Sequence, residues 1–204
     1  MIVKRLSLFL LLFILVTGGW ASTAAAQVTV TFYSHGWGIG PGGVTYFPHA
    51  FIKVAGTPLA GGEAVDRTFG FTATDLTTAM TNRPGIVKPA DPRYIDDSTP
   101  HFSVVATDEQ YAVLLEKIRW WMTPEGSVYN LKTRNCIHFV AEMAEILGLK
   151  PGNTRTWKPV VFMTDTEKKN PGKLTIITAG AKARPETAPP PEAAALQEKG
   201  PDGN

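Results

Sequence analysis

The sequence predicts an α+β fold, with antiparallel strands packed against two principal helices. Three observations carry the prediction. Short runs of β-branched and aromatic residues alternate with polar ones, as half-buried strands do. Two such runs, 47–54 and 63–71, are separated by the turn-rich stretch 56–62 and read as an antiparallel hairpin. Two longer stretches carry apolar residues at helical spacing behind a capping residue.

Taken in order, the chain opens on a basic start at Lys4 and Arg5, an apolar run over 6–16 and the small residues Ala24-Ala25-Ala26 before Gln27. This pattern predicts a secretory signal over 1–26. The apolar run is short for a membrane span and no other stretch is longer, so no stable span is expected after signal cleavage. Residues 28–34 alternate β-formers and predict the first strand. The glycine-rich stretch 35–43 follows, without the Gly-Lys-Ser/Thr ending of a phosphate-binding loop. In the hairpin, His49 stands near the start of its first strand, and Asp66 and Thr68 share one face of the second. Either is expected within reach of the imidazole. Pro84, Pro89, Pro92 and Pro100 predict a long loop or small excursion over 72–100.

Residues 101–106 read as a strand. Thr107-Asp108-Glu109-Gln110 is a capping-box pattern, and Tyr111, Leu114, Leu115, Ile118 and Trp121 behind it form one apolar helix face. Asn135 caps a second helix bearing Phe139, Val140, Met143, Ala144 and Leu147, with Gly148 as its stop. Residues 160–163 and 174–177 predict two closing strands. From about Ala179 the chain is rich in Ala, Pro and Glu and too poor in bulky apolar residues to offset its ordering entropy, which predicts a disordered tail over 179–204. One domain is therefore expected over 27–178, long enough for a substantial core.

Charge excludes one class of partner. The formal charge of +2 includes Lys4 and Arg5, so the chain without its export segment is close to neutral. No basic cluster with interleaved aromatics appears, which argues against nucleic-acid binding. One cysteine and scattered histidines lack the short spacings of zinc ligands, so neither a metal nor another cofactor is expected.

The single cysteine, Cys136, falls on the first residue of the second helix, near free N–H groups and the positive end of the helix dipole. That placement, with Lys132 and Arg134 upstream, predicts a lowered thiol pKa and a nucleophilic thiolate. An odd cysteine in an exported chain also points to a reactive thiol or an intermolecular bond. The competing reading is a buried structural cysteine, because Cys136 shares a stripe with Val140, Met143 and Leu147. His138 is expected to be structural, His35 to lie at the surface of the glycine loop, and His101 to pack at a strand edge. Trp120, Trp121, Tyr129 and Trp157 suit either a groove or the core.

Pro48-His49-Ala50-Phe51-Ile52, Thr68-Phe69-Gly70-Phe71, and Tyr129-x-Leu131 leading to Asn135-Cys136-Ile137-His138-Phe139-Val140 carry a resemblance across most of residues 28–150. The chain resembles the circularly permuted branch of the NlpC/P60 superfamily, papain-like thiol hydrolases related to lecithin:retinol acyltransferase-like proteins. The histidine strand preceding the cysteine helix fits the permuted order. The resemblance implies a papain-like fold, with Cys136 as nucleophile, His49 as general base and then acid, and the Cys136 N–H as an oxyanion donor. A third polar residue orients the histidine in the family. No His, Asn or Gln stands at an obvious position here, and Asp66 is the first candidate, ahead of Thr68 and Glu63; a backbone orienter is the alternative.

Export and resemblance together imply a secreted or periplasmic hydrolase of amide bonds in peptidoglycan peptides. Lipid acyl chemistry on the same fold is the second enzymatic reading. A secreted binding module without turnover is the rival from another class.

Overall fold

The computed structural model describes residues 27–39 and 45–177. The expected export segment over 1–26, the expected tail over 179–204 and part of the glycine-rich stretch lie outside the described residues. The rest is α+β: a six-stranded antiparallel sheet covered by helices. Its strands in chain order are β1 (Val28–His35), β4 (His49–Gly56), β5 (Val65–Thr72), β6 (Ile86–Lys88), β7 (Thr99–Ala106) and β8 (Thr175–Ile176); the short β2 (Gly38–Ile39) and β3 (Thr45–Tyr46) pair only with each other. The spatial order is β6-β5-β4-β1-β7-β8. Five helices join them: α1 (Leu76–Met80), α2 (Pro92–Asp96), α3 (Asp108–Trp121), α4 (Cys136–Ile146) and α5 (Pro159–Lys169).

Period-two alternation decides what each sheet face holds. Val28, Val30 and Phe32 of β1, Ala50, Ile52 and Val54 of β4, and Phe71 of β5 enter one core with Phe139, Val140 and Met143 of α4 and Phe162 and Met163 of α5. The α4 helix packs on β4 and β5, α5 on β1 and β7, and α3 against α4. Trp121 is the keystone of the α3 contact. Its ring meets Phe71 and Phe139 at 4.6 and 5.4 Å, and its Nε1 donates to Glu142 at 3.0 Å. The opposite face carries Tyr33 stacked on Phe51, with Tyr94 of α2 against His35, His49 and Phe51.

The sequence places α3 and α4 correctly. Thr107 and Gln110 form the capping box of α3, and α4 ends in a Schellman closure, with Gly148 at φ 75°, its N–H on Glu145 O and the Leu149 N–H on Ala144 O. Residues 160–163 are a correction. They belong to a third long helix, α5, rather than a strand: Pro159 sits in its first turn, and Phe162, Met163 and Thr166 are buried at helical spacing. A short apolar run does not distinguish the two states. Residues 72–100 are also more ordered than a loop, because β6 adds to the sheet edge beside β5 and α1 and α2 carry side-chain caps from Asp75 and Asp91. Of the second closing strand only Thr175–Ile176 pairs, with Phe102 and Ser103.

Candidate active site at the start of α4

The turn before α4 is built to present residue 136. Asn130 and Arg134 exchange backbone bonds at 2.8 Å in each direction, closing a tight loop. The Asn130 side chain accepts from the N–H groups of Lys132 and Thr133. Asn135 then does two jobs: its Nδ2 donates to Leu131 O at 2.7 Å, and its Oδ1 accepts from the Ile137 N–H at 2.8 Å. His138 completes a capping box, its ring nitrogen taking the Asn135 N–H at 3.4 Å. The ring at 138 is thus tied to the helix cap.

Cys136 is the first residue of α4 and is 6 % exposed. Backbone N–H groups of Ala50, Ile137 and Cys136 itself favour its thiolate, as helix-start placement predicts. Burial acts the other way and wins, pushing the thiol up to about 11. The expectation of a lowered pKa is corrected: sequence shows the helix end but not the depth of burial. Arg134 does not offset it. Its guanidinium lies 4.0 Å from the Trp121 ring and donates to Gly126 O at 2.8 Å.

His49 opens β4, one residue before Ala50, whose backbone N–H favours the Cys136 thiolate. The predicted partners therefore meet at one point of the sheet. They approach it from different sides: Ala50 faces the core under α4, so the His49 side chain leaves the strand on the Tyr94 face. No hydrogen bond joins imidazole and thiol among the described residues. His49 keeps some accessible surface at the strand start, yet its ring is packed near Phe51 and Tyr94, with centroids 6.2 and 6.4 Å away. Burial is the main cause that holds its pKa down to about 4, and Lys88 and His35 act in the same direction. At neutral pH the thiol and the imidazole are both uncharged.

Asp66 does not orient this histidine. In the β4–β5 register Ala55 faces Asp66 and Ile52 faces Phe69, so Asp66 stands at the far end of the hairpin. Its carboxylate pairs with Lys53 at 2.9 Å and is 71 % exposed. The expectation fails because Asp66 begins β5, whereas a strand antiparallel to β4 brings its last residues to His49. Thr68 is engaged elsewhere, accepting the Ala90 N–H at 2.7 Å, and Glu63 is exposed in the connection before β5.

What lies against the imidazole is Gly70. A Cβ there would stand 2.6 Å from His49 Nε2, so the absent side chain makes room for the ring. Only the Thr68-Phe69-Gly70-Phe71 motif signals this in sequence. His35 is a second correction. It ends β1 directly opposite His49, 5 % exposed, with its Nδ1 3.2 Å from Ser98 Oγ and its ring 4.1 Å from that of Tyr94. His101 is a third: it bonds Ser34 inside the structure instead of packing at an edge. Of the aromatics, Trp121 and Tyr129 belong to the core, and Trp120 and Trp157 are exposed.

Among the described residues no group of three His, Cys, Asp or Glu side chains is placed to hold a metal ion, and no helix is long and apolar enough to cross a membrane. No protein-family model, characterised protein or solved structure matches the chain.

Proposed function

We propose that the chain is an exported cysteine hydrolase of the permuted NlpC/P60, papain-like kind, cleaving an amide bond, with peptidoglycan peptides as the substrate class. The observation that carries the reading is the placement of the only cysteine at the first residue of α4, where the backbone N–H groups of Cys136, Ile137 and Ala50, the residue after His49, favour its thiolate. The same donors that favour a thiolate can hold the oxyanion of a tetrahedral intermediate.

Energetics specify the mechanism. Burial raises the thiol and lowers the imidazole, so both shifts oppose a preformed ion pair and the proton moves within the chemical step instead of before it. Cys136 attacks the amide carbon as its proton passes to His49. The oxyanion collapses, the amine leaves with the proton from His49, and a thioester remains. Water, activated by the same imidazole, then releases the acid. Access to this step requires the His49 ring to turn from its place over Gly70 toward the sulfur.

The high thiol pKa and the missing thiol–imidazole bond favour a second reading, a secreted binding module. Digestion of purified peptidoglycan separates the two. The hydrolase releases new amino termini, detected by mass spectrometry, and loses this activity in Cys136→Ala and His49→Ala while both variants stay folded. The module binds without release. Lipid acyl esters in a parallel assay test the other acyl chemistry.

A further inference from the structure

Across the β1–β4 ladder from Ala50, three side chains that the Cys136 chemistry does not use stand in the order of a proton relay. Ser34, next to last in β1, is 4 % exposed, and its Oγ lies 2.7 Å from His101 Nε2. His101 Nδ1 lies 3.5 Å from Glu167 Oε1 of α5. The three residues come from three elements, and the backbone has been altered to join them. The β1–β7 register runs to Phe32 opposite Phe102 and then jumps to Tyr33 opposite Pro100. His101 is left over as the extra residue of a β-bulge, the device by which strands re-aim one side chain. Pro100 suits the break because it has no N–H to lose from the ladder.

The protonation states fit a base. Burial holds His101 down to about 4, so the ring is neutral at pH 7. With its proton on Nδ1 toward Glu167, Nε2 is left to accept the Ser34 O–H. The Glu167 contact is longer than a good hydrogen bond, as such contacts often are before substrate binds.

We propose that Ser34, His101 and Glu167 form a second nucleophilic centre, built from side chains other than Cys136 and His49, that accepts the acyl group of a carboxylic ester. Ser34 Oγ attacks the carbonyl carbon while its proton moves to His101 Nε2. The bond to the leaving oxygen breaks, and the alcohol departs with that proton. Water then attacks the acyl-serine, giving one proton to His101, which returns it to Ser34 Oγ as the acid leaves. Glu167 is a positioning residue that holds the imidazole in the required tautomer and stabilises its charged form. The competing explanation is a buried polar tie between the sheet and α5, which makes no reactive serine.

The test is labelling of the full chain, carrying Cys136→Ala, with a fluorophosphonate probe, read by peptide mapping. Attack by Ser34 displaces fluoride and leaves a phosphonylated serine. The expected result is label on Ser34 in folded protein and none after heat unfolding. His101→Gln should slow labelling by about 100-fold or more, in line with loss of a general base. Glu167→Gln, at a partly exposed side chain, should also slow it with the fold intact, and serves if His101→Gln does not fold. Folded protein unlabelled at Ser34 while a reference serine hydrolase labels fully would overturn the proposal. So would labelling that is unchanged in the variants.

Discussion

Gly70→Ala tests the placement of His49 without replacing either proposed catalytic side chain. The new Cβ stands 2.6 Å from His49 Nε2 and 3.1 Å from Phe51 Cβ. An ordinary van der Waals contact begins at 3.4 Å, so the imidazole has to move by 0.8 Å. The backbone strand cannot yield as easily, because β5 is held between β4 and β6. Overpacking of this kind costs about 1–3 kcal/mol. The ring has to turn from over Gly70 toward the sulfur to take the proton, and a Cβ pressing on Nε2 misplaces the start of that turn. A misplacement of about 1 Å costs about 100-fold in rate. The expected phenotype is therefore a folded protein with a modestly lower Tm and a fall of one to two orders of magnitude in acylation of Cys136 by a p-nitrophenyl ester. Gly36→Ala is the control, since a Cβ there meets nothing within 4 Å. Acylation at the wild-type rate in a folded Gly70→Ala protein would refute the role assigned to the ring over Gly70.

Other perturbations test other parts of the account. Asp66→Asn removes an exposed ion pair with Lys53 and should change stability by less than about 1 kcal/mol, leaving Cys136 acylation unaltered in the same assay. Asn135→Ala deletes both the α4 cap and the bond to Leu131, and a urea titration should show a loss of about 1–2 kcal/mol. His49 and His101 are both held near 4, below the usual 6.5. Each therefore contributes stability that is complete above pH 6.5 and is lost as pH falls toward 4, by on the order of 3 kcal/mol apiece. Urea midpoints should drop steeply over that window, and His101→Gln should flatten the drop. The raised thiol acts at the other end of the scale: from pH 9 to 11 the unfolded thiol ionises first, so stability declines there in the wild type and less in Cys136→Ala.

The elements that sequence makes plain are those with local chemistry at both ends. Asn135 and Gly148 bracket α4 because a side-chain cap and a positive-φ glycine act within a few residues. The β4–β5 hairpin is equally legible from its alternation and its turn. Its register is not, and that alone moves Asp66 from the side of His49 to the side of Lys53. Residues 160–163 mislead because Val160, Val161, Phe162 and Met163 suit a strand by composition, while their partners in the core select a helix. The backbone N–H groups that favour a thiolate at Cys136 follow from its N-terminal position, but the direction of the pKa shift is decided by burial, a tertiary quantity. The bulge that aims His101 at Ser34 leaves no mark in sequence beyond Pro100.

The most direct test of the proposed Cys136–His49 chemistry is the pH dependence of Cys136 acylation by a p-nitrophenyl ester, followed by intact mass and peptide mapping, in wild type and His49→Ala. His49 must be neutral to accept the proton, and its pKa near 4 places the acid limb of the profile there instead of near 6.5. The account predicts a thioester on Cys136 in folded wild type, retained down to about pH 4, and a loss of about 100-fold or more in His49→Ala. A thiol that stays unacylated until the protein unfolds, or that reacts equally well without His49, would contradict it.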